Sequence, residues 1–164
     1  MIVLGIDPGI AIVGYAIVRE KNSKFQVLEY GCITTSSKSS LPDRISYIYD
    51  ELSAIINEFE PDDFVIEELF FNKNIKTAIT VAQARGSQIL AAQHHNLPIY
   101  EYTPLQIKQA VTGYGRADKI QVQETIKNIL SLSEIPKPDD AADALAICIC
   151  HLFTNRFKEL YRIK

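Results

Sequence analysis

Cysteine and histidine are scarce in this sequence, with three of each in 164 residues. Cys148 and Cys150 lie two positions apart in a helical-looking stretch and so point to different faces, and Cys32 stands alone. This pattern excludes a disulfide framework and a zinc site, and we expect reduced thiols in a cytoplasmic protein. The histidines lie at the ends of apolar helical patterns and predict no catalytic or metal-binding role. They are His94, His95 and His151.

The sequence also lacks a long apolar run and a surplus of basic residues. Asp7 interrupts the apolar N-terminal segment, which is too short for a signal peptide or a membrane span, so we expect no membrane association. The net charge is −3, whereas a DNA-binding protein is expected to carry a basic surface. Setting aside four carboxylates as metal ligands turns −3 into +1, a balance compatible with nucleic acid but not predictive of it.

No repeat, low-complexity tract or linker divides the sequence, whose length suits one domain with a full core. We assign residues 1–155 to this domain and 156–164 to a short basic C-terminal tail. Apolar runs, alternation and helical spacing predict the strands and helices. The strands cover 2–6, 13–20, 25–34, 64–71 and 99–102, and the helices cover about 40–60, 75–94, 104–112, 119–130 and 139–153. The fold class is α/β, a mixed five-stranded sheet (an antiparallel meander plus parallel strands) flanked by helices.

Two strands carry acids where apolar residues are expected. Asp7 ends the first strand, and an unpaired carboxylate in such a place is costly. A turn-forming Asp-Pro-Gly, with the side chain bonded to nearby amides, is the alternative explanation. Glu67 and Glu68 are successive residues of another apolar strand and face opposite sides of the sheet, so we expect at least one of them in a cleft or buried.

Asp140 and Asp143 lie three positions apart on one face of the last helix. Helix capping explains Asp139 or Asp140, but it does not explain Asp143, which lies a full turn inside among alanine and leucine. Two acids on strands and two on a helix predict one site for a hard cation, Mg²⁺ or Mn²⁺. A pair of such ions can cut a phosphodiester without a histidine or serine nucleophile.

Five motifs follow one another along the chain: GIDPG followed by Gly14-Tyr15, the IEE-LF segment at 66–70, QARG at 83–86, Lys108-Gln109 in QIKQAVTG, and DAADALAI at 140–147. In this order and spacing they resemble the RuvC family of Holliday-junction resolvases. The resemblance covers essentially residues 1–153. After Gly9 the sequence departs from some relatives, because residues 10–13 replace a more polar, arginine-bearing stretch. This departure affects one phosphate contact and no metal ligand.

The resemblance implies a ribonuclease H-like fold, a homodimer, and a Mg²⁺-dependent endodeoxyribonuclease with two ions per subunit, for which Mn²⁺ substitutes. It implies symmetric nicking of opposite strands of a four-way DNA junction in recombination and repair, with 5′-phosphomonoester products. A branch-migration helicase complex of the RuvA and RuvB type is the implied partner. The metal ligands and catalytic acids that it selects are Asp7, Glu67, Asp140 and Asp143, which leaves Glu68 and Asp139 as neighbours.

The resemblance also suggests four DNA-binding residues. Phe70 matches an aromatic residue near the junction centre, where it would stack on an unpaired base; core packing is the alternative. Lys108 and Lys119 match basic residues suited to phosphate contact or transition-state charge, and are therefore also predicted as catalytic. Solvated lysines are the alternative. Arg116, in the glycine-rich turn at 113–118, is a further candidate for contact with the DNA backbone.

Three other functions fit parts of the sequence. Ribonuclease H-like nucleases that process ribosomal RNA precursors share an early Asp and a late acid, but the complete set of four acids favours the resolvases. Actin-like ATPases share a D-x-G loop, but they need two such domains, for which 164 residues leave little room. A non-catalytic junction-binding module gains nothing from concentrated negative charge that faces phosphate.

Overall fold

The structure, a computed structural model, describes residues 1–69 and 75–164. The strands are β1 (Ile2–Asp7), β2 (Ile12–Lys21), β3 (Lys24–Thr34), β4 (Asp63–Glu67) and β5 (Ile99–Tyr102). The helices are α1 (Leu41–Phe59), α2 (Ile75–His94), α3 (Pro104–Thr112), α4 (Lys119–Ile129) and α5 (Asp139–Thr154), followed by a 3₁₀ helix at Asn155–Tyr161. None of the helices in these residues is long and apolar enough to cross a membrane.

Within the described residues, five strands form one sheet in the order β3-β2-β1-β4-β5. The first three strands form an antiparallel meander, because their short connections can only reverse the chain. β4 and β5 extend the sheet in parallel with β1, and helices α1 and α2 provide the crossover connections that parallel pairing requires. The predicted mixed α/β sheet is confirmed.

Strand alternation divides the core into two layers on opposite faces of the sheet. Ile6 and Phe64 belong to the layer that packs against α1 and α2. Val3 and Val65 belong to the layer that packs against α3, α4 and α5. α5 is buried along most of its length against β1 and β2, so it is the central helix of the second layer.

β4 ends earlier than predicted: the sequence predicts a strand at 64–71, and the strand stops at Glu67. Its two neighbours stop at the same level, β1 at Asp7 and β5 at Tyr102. One further bond joins the Glu68 N–H to the Tyr102 carbonyl at 2.9 Å, and Glu68 and Leu69 belong to no strand in the part of the chain that the structure describes. The strand prediction was therefore wrong for Glu68 and Leu69, because a strand needs neighbours for its backbone groups. Residues 70 and 71 lie outside the described residues.

Residues 156–164, predicted as a basic tail, fold back onto the edge of the sheet. Arg162 forms a β-bridge with Tyr100, and the Ile163 N–H donates to the carbonyl of β5 residue Ile99 at 2.9 Å. Lys158 pairs with the buried carboxylate of Asp63 at 2.6 Å. The C-terminal segment is therefore attached to β5 at the end of the sheet opposite Asp7.

Candidate active site

Asp7 and Glu67 end two adjacent parallel strands, which pair in register one residue before these acids. Because side chains alternate along a strand, Asp7 shares a face with Val3 and Glu67 shares a face with Val65. Both valines pack in the layer that contains α5. Glu68 follows the strand and lies outside this alternation. The structure therefore brings Asp7 and Glu67 together at the end of the sheet where β1 and β4 finish, on the face covered by α5.

α5 approaches this edge closely because two glycines of the sheet face it. A Cβ atom on Gly14, the residue opposite Asp7 in β2, would lie 2.0 Å from the backbone oxygen of Asp140. A Cβ atom on Gly5 would lie 2.6 Å from a backbone oxygen further along α5. A side chain at either position would push the helix outward. The two glycines therefore set how close Asp140 and Asp143 come to the strand acids.

The pKa values show that these carboxylates form one cluster. Burial raises the pKa of Asp7 to about 8, and repulsion by three nearby carboxylates adds to the shift. In decreasing order of effect, these belong to Glu67, Asp143 and Asp140. Burial, then the charge of Asp143, raises the pKa of Glu67 to about 7. The cluster therefore contains more negative charge than its protein surroundings neutralise.

Two lysines share a cleft with two of the acids, Glu67 and Asp143. Lys119 Nζ lies 3.2 Å from Asp143 Oδ2 and 3.3 Å from Asp139 Oδ2. The positive charge of Lys108 opposes the upward shift in the pKa of Glu67. The cleft has a volume of about 210 Å³ and is lined by Glu67, Pro104, Ile107, Lys108, Lys119, Val122, Asp143 and Ala146. Carboxylates that can bind cations thus lie beside amines that can bind phosphate.

Local structure accounts for the acids only in part. Pro138 is the N-cap of α5 and no side chain caps the helix, so neither Asp139 nor Asp140 makes a capping hydrogen bond, but both lie in the first turn, where the helix dipole favours a negative charge. The Asp139 carboxylate instead accepts a hydrogen bond from Gln123 at 3.1 Å. Across residues 1–69 and 75–164, nothing donates a hydrogen bond to the Asp7 carboxylate, so the turn explanation of Asp7 is wrong.

The donor chemistry of the cluster fits a hard divalent cation, since all four side chains offer carboxylate oxygens. In the side-chain positions of the structure, no group of three or more His, Cys, Asp and Glu side chains among the described residues is arranged to hold a metal ion. The ion pair with Lys119 holds Asp143 toward Asp139. Closing the four carboxylates around a cation therefore requires side-chain rotation.

A family model described as Crossover junction endodeoxyribonuclease RuvC matches residues 3–151. Relatives with that name from Finegoldia magna and Alkaliphilus oremlandii are 68% and 56% identical over 164 residues, which cover the whole of this chain and of each relative. The chain belongs to the RuvC family. The fold matches the Thermus thermophilus RuvC structure with a TM-score of 0.91 and 34% identity, over 99% of this chain and 100% of that one.

Two further structures relate this RuvC-family chain to junction resolvases. T. thermophilus RuvC in complex with Holliday junction substrate matches with a TM-score of 0.91 and 32% identity, over 99% of this chain and 100% of that one. The yeast mitochondrial Holliday junction resolvase Ydc2 shares the fold at 16% identity, with a TM-score of 0.65 over 96% of this chain and 83% of that one. The expected RuvC resemblance and ribonuclease H-like class are confirmed.

The predictions for Arg116, Phe70 and the cysteines have different outcomes. Arg116 is exposed in the loop between α3 and α4. Phe70 lies outside the described residues, so its stacking role stays a prediction. Cys148 and Cys150 are buried as free thiols, and no disulfide occurs in the part of the chain that the structure describes.

Two residues of α2 position the ends of the acid-bearing strands and were not predicted. Arg85 Nε donates to the Glu67 carbonyl at 3.2 Å, and its Nη2 pairs with Glu101 at 2.7 Å. The buried Gln88 donates from Nε2 to the Gly9 carbonyl at 3.1 Å, which holds the loop after β1. The QARG motif was a signal for Arg85, but a motif alone does not distinguish a positioning arginine from one that binds DNA.

Proposed function

We propose that this protein is a structure-selective endonuclease that resolves four-way DNA junctions in recombination and repair. The observation that carries the proposal is a cluster of four carboxylates, two of which share a cleft with two lysines, in a RuvC-family chain. A protein of similar fold, T. thermophilus RuvC, is known in complex with a Holliday junction substrate. Symmetric nicks in two opposite strands separate such a junction into two duplexes, and we propose that each nick leaves a 5′-phosphomonoester.

Membership of this family implies use of a divalent metal, and we propose that Asp7, Glu67, Asp140 and Asp143 hold two ions per subunit. Mg²⁺ is the expected ion, with Mn²⁺ as a substitute, because both prefer oxygen ligands. When bound, such a pair activates a water nucleophile and stabilises the leaving 3′ oxygen. Asp7 is affected by the charges of all three other acids, so its carboxylate would hold such ions together with theirs. The uncompensated charge of the cluster supports the same assignment.

The lysines complete the proposed site from α3 and α4. Lys119 orients Asp143 through its 3.2 Å ion pair and brings a positive charge to the place where phosphate must approach. Lys108 lines the cleft with Glu67 and is suited to contact the backbone of the cut strand. Arg116 adds a backbone contact outside the cleft, and the proposed role of Phe70 is to stack on an unpaired base.

We propose a homodimer as the active unit, because two symmetric nicks require two cleavage sites. α2 offers a surface for this contact, since Ile79 and Leu90 are exposed on it and its small residues permit close helix approach. A groove beside Leu90, between α1 and α2, would receive side chains of a second copy. The helicase partner of the RuvA and RuvB type and the cytoplasmic location are proposed from the family alone.

A comparison of substrates tests this function. The full-length protein is incubated with Mg²⁺ and a synthetic four-way junction, a linear duplex of the same sequence, or an RNA–DNA hybrid. We expect paired nicks at symmetric positions in the junction and no cutting of the other two. Cutting of the hybrid or the linear duplex at the rate of the junction would contradict junction selectivity.

A further inference from the structure

The loop at 113–118 connects the two helices that supply the lysines of the cleft. α3 contributes Lys108 to the lining, and α4 contributes Lys119, the first residue after the loop. The loop therefore adjoins the cleft through the two helices, and none of residues 113–118 is among those that line it. It carries Tyr114, a residue with no role in the site described above.

Hydrogen bonds fix the backbone of this loop on both sides of Tyr114. Gln109 Nε2 donates to the Gly113 carbonyl at 2.7 Å, and its Oε1 accepts from the Gly115 N–H at 3.0 Å. Thr112 Oγ1 accepts from the Tyr114 N–H at 3.1 Å, and its single hydroxyl hydrogen is within reach of two carbonyls, that of Lys108 at 2.8 Å and that of Tyr114 at 3.0 Å. Gly113 has a φ of 75°, a left-handed conformation that favours glycine. The backbone at Tyr114 is thus held in one conformation.

The Tyr114 side chain is left exposed by this fixed backbone. It retains 59% of its accessible surface, and two other exposed apolar side chains flank the cleft lysines, Leu105 at 60% and Ile120 at 63%. Among the described residues, the Tyr114 hydroxyl has no hydrogen-bond partner and its ring contacts no other ring. The loop is ordered, but its aromatic ring stays in water, so burial of that ring contributes little free energy within the chain. We therefore expect the ring to be buried when a partner binds.

We propose that the Tyr114 ring stacks on a nucleobase next to the scissile phosphate and thereby contributes to the sequence preference of cutting. This inference rests on the proposed function. An exposed aromatic ring beside amines is the arrangement by which proteins bind unpaired nucleotides: the cations meet the backbone and the ring meets a base. A second copy of the chain is a weaker occupant, because the clustered charges of Lys108, Lys119 and Arg116 would repel the same surface of that copy.

Fluorescence of a base analogue tests the stack directly. The Asp7→Asn background keeps the junction uncut, and 2-aminopurine is placed in turn at each nucleotide that flanks the nick made by the wild-type protein. We expect quenching at one of these positions, its loss in Tyr114→Ala and Tyr114→Leu, and its retention in Tyr114→Phe. Tyr47→Ala, which removes an exposed tyrosine of α1 outside the cleft lining, serves as the matched control and should retain the quenching.

Cutting rates supply the second measurement, with each Tyr114 change placed in the otherwise wild-type protein. Since a base–aromatic stack corresponds to roughly 5- to 150-fold in binding, we expect Tyr114→Ala to lower kcat/KM by about tenfold and to alter the preference among junction sequences. Unchanged quenching, rate and preference in both Tyr114→Ala and Tyr114→Leu would overturn the inference. Loss of self-association in these variants would overturn it in favour of a subunit contact. A wild-type protein that cuts no junction would instead overturn the proposed function.

Discussion

The carboxylate of Asp7 is half-buried, accepts no hydrogen bond from the described residues and has three other acids near it. Such a group binds a proton more tightly in the folded chain than in the unfolded chain, where its ordinary pKa is 3.8. Between that value and the folded-state pKa of about 8, the folded chain holds more protons. Metal-free stability is therefore full at low pH within this window and is lost as pH rises through it.

The first prediction concerns the unfolding free energy of the protein in excess chelator. We expect it to fall between about pH 5 and pH 8, and Asp7→Asn to recover at least about 1 kcal/mol at the higher pH, the value of one pKa unit. Urea unfolding followed by circular dichroism at the two pH values measures this difference. Equal pH dependence in wild type and Asp7→Asn would show that Asp7 is not the strained acid.

The pKa of Asp63, at the other end of the sheet, is shifted in the opposite direction to that of Asp7. Burial alone would raise the pKa of Asp63, but hydrogen bonds from His151 and Lys158 outweigh burial and hold the pKa below its ordinary value. The Asp63 Oδ2 atom lies 3.0 Å from His151 Nε2 and 2.6 Å from Lys158 Nζ. The stability from this carboxylate is present above the ordinary pKa and is lost as pH falls through the lowered one.

We predict that Asp63→Asn destabilises the protein at neutral pH by about 2–3 kcal/mol, because Lys158 then lacks its counter-charge. Glu159→Gln is the matched control, since it removes the surface ion pair with Arg162 but keeps an oxygen that can accept from the Tyr100 hydroxyl, and it should change stability by less than about 1 kcal/mol. Equal effects of the two substitutions, measured by urea unfolding, would mean that the Asp63 network does not fasten the C-terminal segment.

At the scale of elements, the packing of α5 against β1 and β2 decides the geometry of the site. We predict that Gly14→Ala lowers stability by about 2–3 kcal/mol and lowers junction cutting more than tenfold, because its Cβ would overlap the backbone at Asp140. Gly86→Ala is the control for stability alone, since a Cβ there meets nothing within 4 Å and alanine favours the helix by about 1 kcal/mol; its cutting rate is not compared, because Gly86 lies on the proposed dimer surface of α2. Unimpaired cutting by Gly14→Ala would show that the spacing of α5 is not critical.

The elements differ in how far the sequence alone could predict them. Apolar runs, helical spacing and short connections are local signals, so the meander and the helices were predictable to within a few residues. The end of β4 depends on where β1 and β5 stop, which is set by tertiary pairing. The face of Glu67 follows from that same register, and sequence resemblance alone had favoured Glu67 over Glu68.

Some features of the site needed three dimensions. The roles of Gly5 and Gly14 depend on a helix that begins more than a hundred residues later in the chain. Arg85 and Gln88 bind backbone carbonyls of distant segments, and such contacts leave no periodic pattern. The acids themselves were detectable, because a carboxylate at the end of an apolar strand or inside an apolar helix contradicts its local surroundings.

At the scale of the whole molecule, the acids and the lysines of the proposed site form two neighbouring groups of opposite charge. The net charge is −3, but the four proposed metal ligands form one cluster, and the two lysines of the cleft lie beside it. Two divalent cations in the cluster would cancel the charges of its four carboxylates and leave the nearby lysines to attract phosphate, which reconciles an acidic chain with a DNA substrate. In the absence of such cations, the same cluster would oppose the approach of the strand to be cut.

Single-turnover cleavage of a synthetic four-way junction by wild type and by Asp7→Asn tests the central claim most directly. Both are assayed with Mg²⁺ and with excess chelator, and junction binding is measured in parallel by mobility shift. We predict paired nicks only for wild type with Mg²⁺, and junction binding by Asp7→Asn that equals binding by wild type. Cleavage by wild type in excess chelator, or wild-type rates from Asp7→Asn, would contradict the assignment of the acid cluster as a metal-dependent cutting centre.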